Sequence, residues 1–163
     1  MLTILKYLRF TLTKVLRDEW KFDGLVVSDY TSVEGLGVEL DGSVLRLTLD
    51  RQGKRNALDD TIVAGLIAAV DAAGRDEAVR CIVLSGAGEH FCGGFDIVGR
   101  NAAGAPRPRV GSIQRRLPSQ AHALIPLLLT VQVPIVARVQ GWAAGIGFHL
   151  ALAADFTVAA DDA

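Results

Sequence analysis

The sequence has little cysteine and no long hydrophobic run. Cys81 and Cys92 are the only cysteines in 163 residues. Two cysteines are too few for a disulfide-built scaffold, and the chain has no CxxC or His/Cys metal-ligand spacing, so we expect no metal and a reducing, cytoplasmic setting. No apolar stretch reaches the roughly 18 residues that a membrane helix requires, so we expect no membrane span.

Acidic residues are missing from a long central segment. No Asp or Glu lies between Asp96 and Asp155. The same segment carries six arginines: Arg100, Arg107, Arg109, Arg115, Arg116 and Arg138. Such a basic segment suits an anionic partner, for example the phosphates of a small ligand, and it equally suits a solvated face paired with earlier acids. The net charge is only −1, and no nucleic-acid partner is expected.

The hydrophobic pattern predicts a unit of strand, helix and strand within one globular domain. Residues 44–49 (VLRLTL) alternate leucines on one face, as a strand does. Residues 59–74 place an apolar stripe on one helical face, where a leading aspartate can cap the helix and Gly74 can end it. Residues 81–86 (CIVLSG) are typical of a strand buried on both faces. This order predicts an α/β fold with a parallel sheet.

A buried strand followed by a glycine-rich loop occurs twice. The first loop is residues 86–96 (GAGEHFCGGFD), and the second opens the stretch 141–155 (GWAAGIGFHLALAAD) after a strand predicted at 134–141. Residues 156–160 begin another strand, and residues 107–130 are predicted to be helical in pieces, broken or bent near Pro118 and Pro126. Ligands of open α/β sheets bind where such loops leave the strands.

The loop glycines let backbone approach a ligand without a side chain in the way: Gly93, Gly94, Gly145 and Gly147. If the loops are neighbours, the N–H groups of Phe95 and Ile146 can converge on one oxygen. Such a pair of donors stabilises an enolate or a tetrahedral oxyanion. Tight packing turns explain the same glycines. Neither a Walker A motif nor GxGxxG is present, so nucleotide hydrolysis and Rossmann binding are not supported.

Three ordered segments resemble the enoyl-CoA hydratase/isomerase, or crotonase, family: LTLDRQGKRNAL, VRCIVLSGAGEHFCGGFDI and PIVARVQGWAAGIGFHLALAADFTVAADDA. The resemblance covers residues 37–163. It implies a crotonase-like spiral of ββα units that binds acyl-CoA thioesters as substrates, without a cofactor. The family's C-terminal helical part, which covers the site and builds trimers or hexamers, has no counterpart. We therefore expect an incomplete, C-terminally truncated spiral. A homo-oligomer is implied only by the resemblance to the family.

The resemblance assigns the two oxyanion donors to the backbone N–H groups of Phe95 and Ile146. The family commonly has glycine or a small residue where Ile146 stands, so the space beside the acyl group is narrower here. The KRNAL stretch matches the segment that lines the CoA nucleotide, with Lys54 or Arg55 near the phosphates and Ala57 near the adenine. The substrate-binding residues implied are Lys54, Arg55, Ala57, Leu58, Gly93, Gly94, Asp96, Ile97 and Gly145.

His149 stands where the family's hydratases have the first of two glutamates, and the second would fall beyond Ala163. Water addition by the usual pair is therefore not expected. A helix N-terminus disfavours the imidazolium cation, so His149 is a candidate base or hydrogen-bond donor, with simple packing as the alternative. The other two histidines, His90 and His122, are predicted to lie on the surface or in loops.

Residues 1–36 fit no part of that family. Residues 14–36 (KVLRDEWKFDGLVVSDYTSVEGL) resemble a fragment of the family-three glycoside hydrolases, in which Asp29 would match the nucleophile. The glycoside hydrolase site lies at the end of a barrel strand, and one strand cannot make a barrel. We therefore expect residues 1–36 to be an N-terminal extension that carries a fused fragment.

We therefore predict an enoyl-CoA hydratase/isomerase-like protein of fatty acid metabolism that stabilises a thioester enolate. The family favours an enzyme, an isomerase or a lyase, although its usual glutamates are absent. One alternative is a non-catalytic or non-functional CoA-binding fragment. The other is a glycoside hydrolase remnant.

Overall fold

The computed structural model describes residues 33–97, 111 and 121–163. The predicted N-terminal extension lies almost wholly outside these residues, as do Asp29, Pro118 and five of the six central arginines, so those predictions stay open. The described elements are β1 (Leu36–Asp41), β2 (Val44–Leu49), a 3-10 turn (Gln52–Lys54), α1 (Asp60–Ala73), β3 (Cys81–Gly86), α2 (Ala121–Thr130), β4 (Ile135–Val139), α3 (Ile146–Ala153) and β5 (Phe156–Ala159).

The strands form one five-stranded sheet in the described part of the chain, in the order β1-β2-β3-β4-β5. β1 and β2 pair as an antiparallel hairpin, and every later neighbour pairs in parallel. Parallel strands require a crossover connection, which α1 supplies between β2 and β3. The predicted α/β class and its strand–helix–strand unit are confirmed.

α1 forms where the apolar stripe predicts it. The side chain of Asp59 accepts a hydrogen bond from the backbone N–H of Ile62 at 2.9 Å, which satisfies one donor of the first turn. Gly74 is the C-cap. The predicted stripe consists of Ile62, Val63, Leu66, Ile67 and Val70. All are buried except Ile67, which is half-buried.

β3 is a strand, but the prediction of burial on both faces is wrong. Ile82, Leu84 and Gly86 are buried, while the residues between them are half-buried. In β4 the same alternation leaves Arg138 exposed. Side chains alternate between the two faces of a strand, so one face of the sheet packs into the core and the other is only partly covered.

α2 runs through Pro126 without a break, so of the predicted break or bend at that proline the break is wrong. Proline lacks the N–H that would bond to the His122 carbonyl oxygen, and the helix tolerates the loss of this one bond. Leu124 and Leu128 hold the helix in the core, where it packs against α1 and α3. No described helix is long and apolar enough to cross a membrane.

Candidate active site

The loops that follow β3 and β4 lie side by side, which is the condition on which the predicted pair of donors depends. The N–H of Phe91 donates to the Gln140 carbonyl oxygen (2.8 Å), and the N–H of Cys92 donates to that of Trp142 (2.9 Å). The N–H of Ala144 donates back to the Cys92 carbonyl oxygen at 2.9 Å. These hydrogen bonds continue the parallel pairing beyond the ends of the strands and fix the two loops relative to one another.

Glycine is required where the loops touch. A Cβ atom on Gly147 would lie 2.6 Å from the carbonyl oxygen of Cys92 and 2.7 Å from its Cβ. Gly94 has a φ of +98°, and a Cβ there would lie 3.2 Å from the Ala144 carbonyl oxygen. A Cβ atom does not fit at Gly147, and at Gly94 the positive φ disfavours any other residue, so these glycines set how closely the second loop approaches the first.

A cavity of about 540 Å³ opens beside the paired loops. The described residues that line it are Phe95, His122, Ile125, Pro126, Gly145, Ile146 and His149. Four of them come from the sequence prediction: Phe95, Gly145, Ile146 and His149. The lining is mostly apolar, so this cavity suits an apolar group close to exposed backbone of the two loops.

Ile146 is the first residue of α3, and Gly145 is its N-cap. The N–H groups of a helix's first turn have no acceptor within the helix, and the helix dipole places partial positive charge there. Gly145 has a φ of +54° and offers no side-chain cap. The N–H of Gly147 donates to the Ala144 carbonyl oxygen at 2.9 Å, so the N–H of Ile146 is the donor that α3 places beside Gly145 at the wall of the cavity.

His149 lies in the first turn of α3, and its side chain is exposed rather than packed in the core. Its Nδ1 lies 2.8 Å from the Gly145 carbonyl oxygen. A carbonyl oxygen can only accept, so Nδ1 carries the proton in this hydrogen bond. In the neutral ring Nε2 then holds the free lone pair, which is what a proton acceptor requires.

Asp96 is buried, with 7% of its surface exposed, and it is held by two cations. Its Oδ2 accepts from Lys54 Nζ at 2.7 Å and from Arg51 Nη2 at 3.0 Å. The ammonium group of Lys54 therefore points to Asp96 in this structure. Ile97, by contrast, is mostly exposed and does not line the cavity.

The KRNAL stretch lies against the first loop but outside the cavity lining. Leu58 is fully buried: its N–H donates to the Gly94 carbonyl oxygen, and its own carbonyl oxygen accepts from the N–H of Asp96, both at 2.8 Å. The N–H of Gly93 donates to the Arg55 carbonyl oxygen at 2.7 Å. This backbone pairing positions Phe95, the residue between Gly94 and Asp96.

Arg55 and Ala57, the predicted nucleotide-binding residues, have partners within the chain. The Arg55 guanidinium stacks 4.4 Å above the ring of Trp142. The carbonyl oxygen of Ala57 accepts from Arg51 Nη1 at 2.8 Å, and its N–H donates to the Lys54 carbonyl oxygen at 3.1 Å. Their contacts with a CoA nucleotide remain a prediction.

The sequence analysis missed Asn56, which joins the KRNAL stretch to the first glycine-rich loop. Asn56 is buried with a φ of +56°. Its Oδ1 accepts from the N–H of Arg51 (2.9 Å), and its Nδ2 donates to the carbonyl oxygens of Ala87 (2.9 Å) and His90 (2.6 Å). Asparagine is enriched in the left-handed region, so an Asn in a short turn was the available signal.

His122 was also missed as a site residue, although its predicted surface position is confirmed. It lines the cavity together with Ile125 and Pro126. Positions three and four apart share one face of a helix, so the available signal was the spacing of these residues on α2. Within the described residues no group of three or more His, Cys, Asp or Glu could hold a metal ion.

Cys92 belongs to the first of the paired loops and is fully buried. Burial raises the pKa of its thiol from the ordinary 9.0 to about 11, and a hydrogen bond with the backbone of Gly94 partly opposes that shift. The thiol is therefore protonated at neutral pH, and it is unsuited to act as a nucleophile.

Comparison with known proteins identifies the family to which this chain is similar. Residues 39–163 match the family model "Enoyl-CoA hydratase/isomerase". The chain is 34% identical over 125 residues to the 1,2-epoxyphenylacetyl-CoA isomerase of Escherichia coli, covering 76% of this chain and 47% of the relative. It is 37% identical over 134 residues to a probable enoyl-CoA hydratase of Rhodobacter capsulatus, covering 82% and 46%.

The solved structures agree with the family match. An enoyl-CoA hydratase/isomerase from Xanthobacter autotrophicus superposes with a TM-score of 0.74 at 32% identity, covering 81% of this chain and 48% of that one. The chain belongs to the enoyl-CoA hydratase/isomerase family, and its sheet and helices form part of the crotonase fold. It spans about half the length of the curated relatives it matches. The resemblance of residues 14–36 to glycoside hydrolases has no support from these matches.

Proposed function

We propose that the cavity binds the acyl part of an acyl-CoA thioester and that the N–H groups of Phe95 and Ile146 hold the thioester oxygen. The observation that carries the proposal is that both residues line the same cavity, on loops tied together by backbone hydrogen bonds. Removal of a proton next to the thioester carbonyl places negative charge on that oxygen. Two backbone donors fixed before the reaction stabilise the enolate by a few kcal/mol each.

Support for an acyl-CoA substrate comes from the lining and from the relatives. Phe95, Ile125, Pro126 and Ile146 give the cavity apolar walls suited to a hydrocarbon chain. The relatives named above act on, or are named for, CoA thioesters. In this proposal the thioester is the substrate, no separate cofactor takes part, and Lys54 or Arg55 meets the CoA phosphates. The same proposal includes a cytoplasmic location and a homo-oligomer, the trimer or hexamer that the family implies.

Calorimetry with crotonyl-CoA, with free CoA as the control ligand, tests the proposal. We expect crotonyl-CoA to bind more tightly than free CoA, because only the thioester places an acyl group in the cavity and an oxygen at the two donors. Absence of binding at millimolar crotonyl-CoA would rule the proposal out. Equal affinity for both ligands would show that the acyl cavity is not used.

The alternative function is non-catalytic binding of acyl-CoA. It is favoured by the cavity lining, in which no described residue is a carboxylate. Turnover assays on unsaturated acyl-CoA thioesters distinguish the two. Binding of a thioester that is never altered would select the non-catalytic function.

A further inference from the structure

We propose that the acyl group taken by this cavity ends in a carboxylate and that His122 and His149 select it, so that the substrate class is the CoA thioesters of dicarboxylic acids. This inference rests on the proposed function. It adds the chemical class of the acyl group and the two residues that determine it. The two imidazoles are the only polar side chains among the described residues that line the cavity.

The two imidazoles reach the cavity from neighbouring helices. His122 lies on α2 and shares a helix face with Ile125 and Pro126, three and four positions further on. His149 lies on α3, three positions after Ile146. Because α2 packs directly against α3, an anionic group inside the cavity has an imidazole on each of two adjoining walls.

The ring of His149 is oriented for an anionic ligand. Its Nδ1 donates to the Gly145 carbonyl oxygen at 2.8 Å, which leaves Nε2 for a bound group. A carboxylate has acceptors only, so it pairs with the protonated ring, in which Nε2 also donates. The imidazolium then has one N–H on the carbonyl oxygen and the other on the carboxylate. Hydrogen bonds between charged groups are roughly twice as strong as neutral ones.

The lining holds no acidic side chain that would compete for the imidazoles or repel the carboxylate. The sequence has no Asp or Glu from residue 97 to residue 154, which covers α2, β4 and α3. Along the chain the nearest acid to the lining is Asp96, whose Oδ2 accepts from Arg51 and Lys54. Among the described residues that line the cavity, the titratable groups are the two imidazoles.

The rest of the lining suits the methylene chain between the thioester and the carboxylate, since Phe95, Ile125, Pro126 and Ile146 are apolar. A carboxylate buried among such side chains alone would lose water without gaining a partner, which is costly. The two imidazoles supply that partner. Both are exposed, so the carboxylate keeps part of its hydration as well.

Calorimetry with matched pairs of thioesters tests this specificity. Succinyl-, glutaryl- and adipyl-CoA are each compared with the acyl-CoA in which two methyl groups replace the carboxylate oxygens, for example 5-methylhexanoyl-CoA for glutaryl-CoA. At about pH 6 we expect at least one dicarboxylic thioester to bind more tightly than its partner by about fivefold or more, a modest factor because exposed charges are screened. The preference should shrink at about pH 8, where imidazoles are mostly neutral.

His122→Phe and His149→Phe each keep a ring and remove its nitrogen donors. Each variant is expected to lose most of the preference and to bind 5-methylhexanoyl-CoA as the unaltered chain does, which also shows that the variant folds. Leu129→Ala is the matched control, since Leu129 is an exposed residue of α2 outside the cavity lining, and it should keep the preference.

Equal or weaker binding of all three dicarboxylic thioesters would overturn the specificity and leave the proposed function standing. A preference that persists unchanged at about pH 8, or in both histidine variants, would overturn the role of the imidazoles. A chain that binds no acyl-CoA at all would overturn both proposals.

Discussion

Ile146 combines a buried side chain with a backbone N–H at the start of α3. Proline is well tolerated at the first position of a helix, where its missing N–H has no helical acceptor. Ile146→Pro therefore removes the proposed donor, and Ile146→Ala keeps the donor while removing most of the side chain. We expect the proline variant to lower kcat by about a hundredfold or more relative to the alanine variant, the usual effect of one oxyanion donor.

Turnover assays on unsaturated acyl-CoA thioesters with the two variants measure this difference. Comparing them with each other, rather than with the unaltered chain, removes the shared loss of the isoleucine side chain. Circular dichroism of both variants checks that α3 is intact. Equal kcat values in two folded variants would show that the Ile146 N–H does not contact the reacting oxygen.

Cys92 makes stability sensitive to alkaline pH. Its pKa is about 11 in the folded chain and near 9.0 when exposed, so above pH 9 the unfolded chain loses its proton first. The stabilisation that comes from burying the protonated thiol is fully present below about pH 9 and is lost as pH rises through about 11. We expect the free energy of unfolding to fall by about 1.4 kcal/mol per pH unit across that window.

Urea denaturation at several pH values, with Cys92→Ala as the control, isolates this effect. Other groups also titrate in the alkaline range, and they are common to both chains. The slope between pH 9 and 11 should therefore be shallower in the alanine variant. Identical slopes would mean that the thiol is not buried in the folded chain.

At the scale of single residues, the sequence predicted the loop part of the cavity and missed the helical part. Phe95, Ile146 and His149 stand beside glycines, whose spacing shows where backbone is exposed. His122 carries no such signal. It reaches the cavity only because α2 packs against α3, which is a long-range contact that local pattern does not contain.

At the scale of elements, one buried carboxylate connects the turn after β2 with the first glycine-rich loop. Arg51 bonds Asp96 and the Ala57 carbonyl oxygen, and its Nη1 also lies 3.3 Å from Asp59, the cap of α1. Lys54 bonds Asp96 from a side chain that is nearly half exposed. Arg51 is therefore the residue that holds the helix cap, the turn and the loop together.

Arg51→Met and Lys54→Met should differ in their effects on stability. Removing one partner of a buried ion pair costs about 3 kcal/mol or more, whereas an exposed partner contributes at most about 1 kcal/mol. We expect Arg51→Met to lower the free energy of unfolding by the larger amount and Lys54→Met to lower it only slightly, as measured by urea denaturation. Both substitutions introduce methionine, so the two losses can be compared directly. Equal losses would show that Arg51 contributes no more than a surface cation.

Local pattern predicted the elements that have strong signals of their own. β2 alternates leucines, and α1 has a capping aspartate before its stripe and a glycine after it. The prediction failed where packing decides the outcome: α2 continues through Pro126 because Leu124 and Leu128 are buried. The half-covered face of β3 was missed as well, since an apolar run does not show what covers each side.

At the scale of the whole molecule, the last helix and the last strand leave apolar surface exposed on both sides of the sheet. Phe148 and Leu152 of α3 and Phe156 and Val158 of β5 are all more than half exposed. The Thr157 hydroxyl donates to the Ala151 carbonyl oxygen at 2.7 Å, so Thr157 faces α3. Because side chains alternate along a strand, Phe156 and Val158 lie on the opposite face of the sheet. Large exposed apolar side chains mark surface that associates with another apolar surface.

β5 adds an open edge to that surface. It pairs with β4 on one side, and no described strand pairs with the other. An unpaired edge with apolar side chains is a template for pairing between chains. We therefore expect the chain to self-associate, with an average mass in light scattering that rises with protein concentration.

Charge placed on this surface should reverse the association. In the double variant Leu152→Lys with Phe156→Lys, two ammonium groups would have to lose water for the surfaces to meet, and like charges on two copies would repel. The matched control adds the same charge elsewhere, through Ser43→Lys and Gln132→Lys, both at exposed positions. The first variant should approach the monomer mass of 17.3 kDa, and the second should associate as the native chain does. A native chain that stays monomeric at all concentrations would contradict the role given to this surface.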